Sequence, residues 1–271
     1  MAYSARHAKA GKDWSLGELV AYNIQIVSQS PGQFFGAAAA NTSLAELDPL
    51  IITGSIDTEN LSDTTLRYLT YLDLAARASQ KACIDEFARQ TLDLLGYPER
   101  GLALISQYNI PLTISNQDKS AQIDACLVDE QNMILLILKG KMSLESNFSD
   151  PEPRVVAEAI AAYQYNNSMR ELMGLETLDE MVFPCITMVG MRPTFYLVPV
   201  SRALSNAVRT GQYSHVRTEV RRCVTVAGRN RRISEGMGDP EYRRIALERF
   251  VAFRALAKTH WEDFLERRSI C

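Results

Sequence analysis

The segment that most restricts how this chain can fold is Met133-Ile-Leu-Leu-Ile-Leu138, apolar at every position and followed at once by Lys139-Gly140-Lys141. A strand with one wet face alternates apolar and polar residues. A run that is apolar throughout must be covered on both faces, which places it centrally in a sheet between helices. It is far short of the roughly 20 residues that cross a bilayer, so no membrane association is expected.

The neighbouring segments supply such a sheet. Gly101 to Ser115 and Gln122 to Val128 read as strands, and Asp129 to Asn132 predicts a hairpin turn into the apolar run. Pro151 and Pro153 introduce a helix over Arg154 to Leu172. Phe183 to Val189 and Thr194 to Val200 are two more strands, and Ser201 to Val208 is a short helix closed by Gly211. Thr218 to Val226 is β-like or irregular, and Gly228 to Asp239 is a polar loop. Glu241 to Arg267 is an amphipathic helix with Ile245, Phe250, Phe253, Ala257, Trp261 and Phe264 on its apolar side. Upstream, helices are expected over Ser15 to Val27, from Ser62 or Asp63 through Ala76, and over Gln80 to Leu95, where Gly96 stops the last. The fold class is therefore α/β: a mixed central sheet flanked by helices. Residues 1–79 form an N-terminal helical extension, and residues 80–271 an α/β domain that includes a basic C-terminal helical region.

An apolar content of 46% excludes disorder. Five cysteines, an odd number without a C-x-x-C pair, argue against a disulfide framework or zinc knuckle and for a reducing compartment. The segment after Met1 is polar and basic with no apolar stretch, so no secretory signal is read and an intracellular location, cytoplasmic or nuclear, is expected. The net charge of −3 hides an asymmetry: residues 201–271 hold 15 Lys and Arg against 8 Asp and Glu. Six of these cations fall together: Arg217, Arg221, Arg222, Arg229, Arg231 and Arg232. Arginine suits bidentate phosphate contact, so the stretch is a candidate DNA or RNA surface. It reads equally as a solvated face, or as a patch docking on the acidic N-terminal half.

Four features occur in order. Glu86 lies on the helix before the sheet, Asp124 opens the second strand, the third strand ends in Lys139-Gly140-Lys141, and Gln164 sits on the next helix. This sequence of elements resembles the PD-(D/E)XK, or restriction-endonuclease-like, nuclease superfamily over roughly residues 80–200. Tyr163 to Asn167 and Phe195 to Val200 also resemble a group of uncharacterised fungal proteins with a nuclease-like core. The resemblance implies a site in which Asp124 and Glu86 hold Mg²⁺, Lys141 is the catalytic lysine and Gln164 a helix-borne site residue. The chain departs from the pattern at Lys139, a cation where the family carries a carboxylate. Two unit charges 4 Å apart interact with roughly 1 kcal/mol in water and about 4 kcal/mol at an effective dielectric near 20. Lys139 is therefore expected to repel Mg²⁺, pair with Asp124 and replace the metal. Two functions follow: a catalytically degenerate nuclease-like protein that binds nucleic acid or another partner, or a Mg²⁺-dependent nuclease. The histidines, His7, His215 and His260, are too scattered for a metal triad, and no G-x-G-x-x-G or Walker A loop is present.

Overall fold

The structure is a computed structural model that describes residues 8–142, 150–226 and 236–265. Seven strands build one mixed open sheet: β1 (Ile24–Ser28), β2 (Leu102–Ile114), β3 (Gln117–Asp129), β4 (Ile134–Lys141), β5 (Glu180–Val189), β6 (Arg192–Ser201) and β7 (Thr218–Val224). Their spatial order is β1-β7-β6-β5-β4-β3-β2. The apolar run becomes β4, at the centre of the sheet, and every residue from Ile134 to Gly140 is buried. It pairs antiparallel with β3 and parallel with β5. The Lys139-Gly140-Lys141 segment forms the end of the strand.

Helix α6 (Pro151–Leu172) covers one face of the sheet. Helices α4 (Asp63–Ala76), α5 (Lys81–Leu94) and α8 (Pro240–Leu265) lie on the other. The faces are told apart on β4 itself. A side chain at Gly140 would run into Asp85 of α5, whereas the adjacent Lys139 reaches Glu158 of α6, and successive strand residues point to opposite faces. Under α8, Phe195 of β6 packs against Phe253 and Phe250 with ring centroids 4.9 and 5.1 Å apart. Between Pro151 and Tyr163, α6 is buried at every position but Arg154. Its outer side is covered because the β2–β3 hairpin folds over it: Tyr108 stacks edge-on against Tyr165, and the Thr113 N–H and C=O pair with the Gln164 amide at 2.9 and 3.2 Å.

Two local departures from the sequence reading have clear causes. The expected helix over Ser15 to Val27 stops as α1 (Leu16–Ala21). Asn23 then takes a left-handed conformation, φ 59°, and the β-branched Ile24, Ile26 and Val27 enter β1, parallel to β7. Part of the N-terminal segment thus completes the sheet. The second strand also begins earlier than expected, at Gln117, because Ser115 and Asn116, both at positive φ, make a two-residue hairpin turn from β2. The short helix α7 (Arg202–Thr210) ends at Gly211, which takes φ 71°.

Candidate functional site

Strands β1, β4, β5 and β7 run the same way and finish at one end of the sheet, where α6 begins. There five ionisable side chains from four elements form one network. Asp124 of β3 receives the Gly140 N–H (3.0 Å) and the Lys81 ammonium of α5 (2.7 Å) on Oδ2, and the Lys139 ammonium (3.4 Å) on Oδ1. Lys81 also donates to both oxygens of Asp85, one helical turn on, at 2.9 and 2.7 Å. Lys139 Nζ donates to the Gln122 carbonyl (3.0 Å) and to Glu158 Oε1 on α6 (2.7 Å). A Cβ at position 140 would stand 1.8 Å from Asp85 Oδ1, so any larger residue there would displace the Asp85 carboxylate from the network. Gln107, level with Asp124 on β2, is held at φ 56° where the hairpin arm bends.

The electrostatics follow from burial and from the count of charges. Burial pushes the Glu158 carboxyl up to about 7 against the pull of Lys139. Its Oε2 is buried and has no hydrogen-bond partner. Burial would lower the Lys139 pKa, but Glu158 and Asp124 outweigh it and hold that ammonium above its usual range. Asp85 is raised by burial, opposed by Lys81 and reinforced by Asp124. Burial raises the Cys126 and Cys185 thiols as well, and the Glu158 charge adds to both shifts. These thiols are apolar packing rather than nucleophiles.

The residues proposed from the sequence separate into groups. Asp124 and Lys139 meet in the network, and Lys141 sits half-buried at the end of the same strand. Glu86 turns to Arg89 (3.1 Å) and is partly exposed, while its neighbour Asp85 occupies the network. Gln164 binds the backbone of Thr113 on the edge strand, and so satisfies an otherwise open sheet edge. Lys81, Asp85 and Glu158 were not singled out from the sequence. The i, i+4 spacing of Lys81 and Asp85 and a lone glutamate in the apolar Val155 to Ala162 stretch were the available signals.

Of the C-terminal arginines, Arg222 reaches the same end of the sheet, binding Glu152 Oε1 of α6 (2.6 Å) and Ser28 Oγ. Tyr196 donates to the same Glu152 oxygen at 2.9 Å. Arg217 faces Glu219 (3.5 Å), and Arg221 is half-buried on β7. Arg229, Arg231 and Arg232 lie outside the described residues.

Magnesium requires a near-octahedral shell of oxygens. Here the Asp85 and Asp124 oxygens and Glu158 Oε1 are bound by N–H and ammonium groups, only Glu158 Oε2 is left, and Lys139 stands among them, so the residues do not fit the ion. Among the described residues no group of three or more His, Cys, Asp or Glu side chains is disposed to hold a metal. None of their helices is long and apolar enough to cross a membrane. What the arrangement does offer is a buried ammonium group held between two carboxyl groups, Lys139 between Asp124 and Glu158. No family model matches the chain, and neither does any curated protein.

Proposed function

We propose that this chain is a nuclease-like protein in which an ammonium group stands in for the metal, and that it works as a nucleic-acid-binding or interaction module rather than as a nuclease. One observation carries the reading: Lys139 Nζ lies 2.7 Å from Glu158 and 3.4 Å from Asp124. A buried cation among carboxylates neutralises them as a divalent ion would, but it supplies no Lewis acid and activates no water. The order helix, strand with Asp, strand with lysines, helix supports the restriction-endonuclease-like core. The placement of Lys141 and Arg192 at the carboxyl end of the sheet, together with the arginine-rich composition of residues 201–271, supports a DNA or RNA partner, since phosphate contact supplies affinity independent of sequence.

Titration calorimetry with Mn²⁺ tests the reading. The parent protein is expected to give no saturable heat at millimolar metal and to leave DNA and RNA intact, while Lys139→Glu, which rebuilds a carboxylate two residues before Lys141, gains metal binding. Lys139→Gln serves as a folding control that removes the charge without adding another. Millimolar or tighter Mn²⁺ binding by the parent, or cleavage abolished by Asp124→Ala, would establish the Mg²⁺-dependent nuclease instead. An oligonucleotide that fails to bind at low salt would remove the nucleic-acid half of the proposal.

A further inference from the structure

An open groove of about 290 Å³ lies between α7 and the chain that leads from it into β7. It sits at the end of the sheet opposite the Lys139 network, because β6 runs against β5 and delivers α7 there. Asn206, Thr210, Gln212, Tyr213, His215 and Val216 line it. All six are exposed, Tyr213 at 44% and Val216 at 60%, so a ligand can reach them.

The charge around the groove has one sign. Among the described residues no carboxylate lines it. From Arg202 to Arg217 the sequence holds three arginines and a histidine, and no aspartate or glutamate. Asn206 and Arg209 lie three positions apart on α7 and so share its exposed side. Arg217 stands just before β7 and faces Glu219 at 3.5 Å, with both side chains more than half exposed. So open a pair is worth little and yields to a phosphate.

The groove is also pre-set. The Asn23 amide donates to the Ser214 carbonyl at 3.1 Å, and the Ser214 hydroxyl to the Val216 carbonyl at 2.8 Å. The last carbonyls of α7 form a negative pole that would repel phosphate. They are already bound: Ala207 O accepts from the Gln212 N–H, Val208 O from those of Gly211 and Ser115, and Arg209 O from that of Asn116. On this floor the Tyr213 and His215 rings stand nearly perpendicular, at 79°, with centroids 6.0 Å apart. In an edge-to-face pair one ring keeps both faces clear of its partner. We infer that the groove takes an unpaired base of a single nucleic-acid strand. The base stacks on the Tyr213–His215 pair, the Asn206 and Gln212 amides meet its edge, and Arg209 and Arg217 meet the phosphates on either side. A sugar would also stack on a tyrosine, but it gives the arginines nothing to bind. The inference rests on the proposed nucleic-acid reading and narrows it to single strands.

The test measures, by fluorescence anisotropy at low salt, the binding of a short single strand, the same strand annealed to its complement, and a strand of equal length made of abasic residues. The intact single strand is expected to bind about tenfold more tightly than the abasic one, which keeps the phosphates but offers nothing to stack. Tyr213→Ala should erase that difference and leave the abasic strand unaffected. Tyr213→Phe keeps the ring and should bind as the parent does; a loss equal to that of the alanine variant would overturn stacking. Arg209→Ala and Arg217→Ala should weaken the intact and abasic strands alike, each reducing the salt slope by about one. Equal binding of all three probes, indifferent to Tyr213→Ala, would overturn the groove and leave the nucleic-acid reading intact. Failure of every probe to bind would overturn both.

Discussion

Two buried cations, Lys139 and Arg243, are 8% and 3% exposed, yet they are satisfied in opposite ways. Arg243 of α8 donates only to backbone carbonyls: Met237 at 2.8 Å, Ile51 at 2.9 Å, Gly54 at 3.0 Å and Gly238 at 3.3 Å. It ties two loops to a helix, and burial lowers its pKa. Lys139 donates to one carbonyl and faces two carboxylates, which raise its pKa. Carbonyl dipoles solvate a cation without acquiring charge of their own, so Arg243 is a staple. Carboxylates brought together have to be neutralised by something, and Lys139 neutralises them. The difference separates a cation needed by the fold from one that occupies a site.

The sharpest way to break that comparison is to remove each cation in turn. Arg243→Met strands four carbonyls and Lys139→Met leaves the buried Glu158 carboxylate without its cation, while Asp124 keeps Lys81 and the Gly140 N–H; each should cost about 3–5 kcal/mol at pH 8. They should differ in acid. At pH 5.5 Glu158 is protonated, so Lys139→Met recovers part of its loss while Arg243→Met recovers none. Urea unfolding at the two pH values measures this, and parallel losses would show that both lysine and arginine are merely structural.

A smaller effect concerns Glu158 in the parent protein. Its folded pKa, about 7, lies above the ordinary value of 4.5, so the folded state holds the proton more tightly than the unfolded chain does. Stability from this group is complete below about pH 4.5 and is lost as pH rises towards 7. At 1.36 kcal/mol per unit the loss is about 3 kcal/mol at most. Glu158→Gln keeps the shape, removes the titration and should flatten stability between pH 5 and 8. A slope that survives the substitution would place the titrating group elsewhere. Cys126, Cys185, Asp124, Lys139 and Lys81 are the other ionisable groups that act on it.

How much of this was legible in the sequence depended on the range of the cause. The central strand announced itself through an unbroken apolar run, and Lys139 stood out as a cation where the resembled family carries a carboxylate. The meeting of Asp124 with Lys139 follows from antiparallel pairing next to a tight turn, which is local information. Glu158 was hidden because a glutamate on a helix ordinarily faces water. Here it lies on the sheet-facing side of α6, where Lys139 of β4 donates to it at 2.7 Å, and which side of α6 meets the sheet is decided by tertiary packing. Strand β1 was missed for a related reason: Ile24 to Ser28 is too short to choose between helix and strand until β7 offers it an edge.

Glu86 gives the smallest and most exacting test. The resemblance assigns it the helix carboxylate of the site, and a helix advances about 100° per residue, so one position decides which carboxylate faces inward. The structure gives the inward position to Asp85, which receives Lys81 and lies against Gly140, and leaves Glu86 to a partly exposed pair with Arg89. Such exposed pairs contribute roughly 0–1 kcal/mol. Glu86→Ala should therefore change stability by less than about 0.5 kcal/mol, a surface-sized effect, and leave the pH dependence set by Glu158 untouched. Asp85→Ala removes a carboxylate from the network and should alter that dependence, because Lys81 is then free to serve Asp124 alone. If the two substitutions exchanged their effects, α5 would be rotated by one position, and the carboxylate at the metal-like site would be the one the family resemblance assigns.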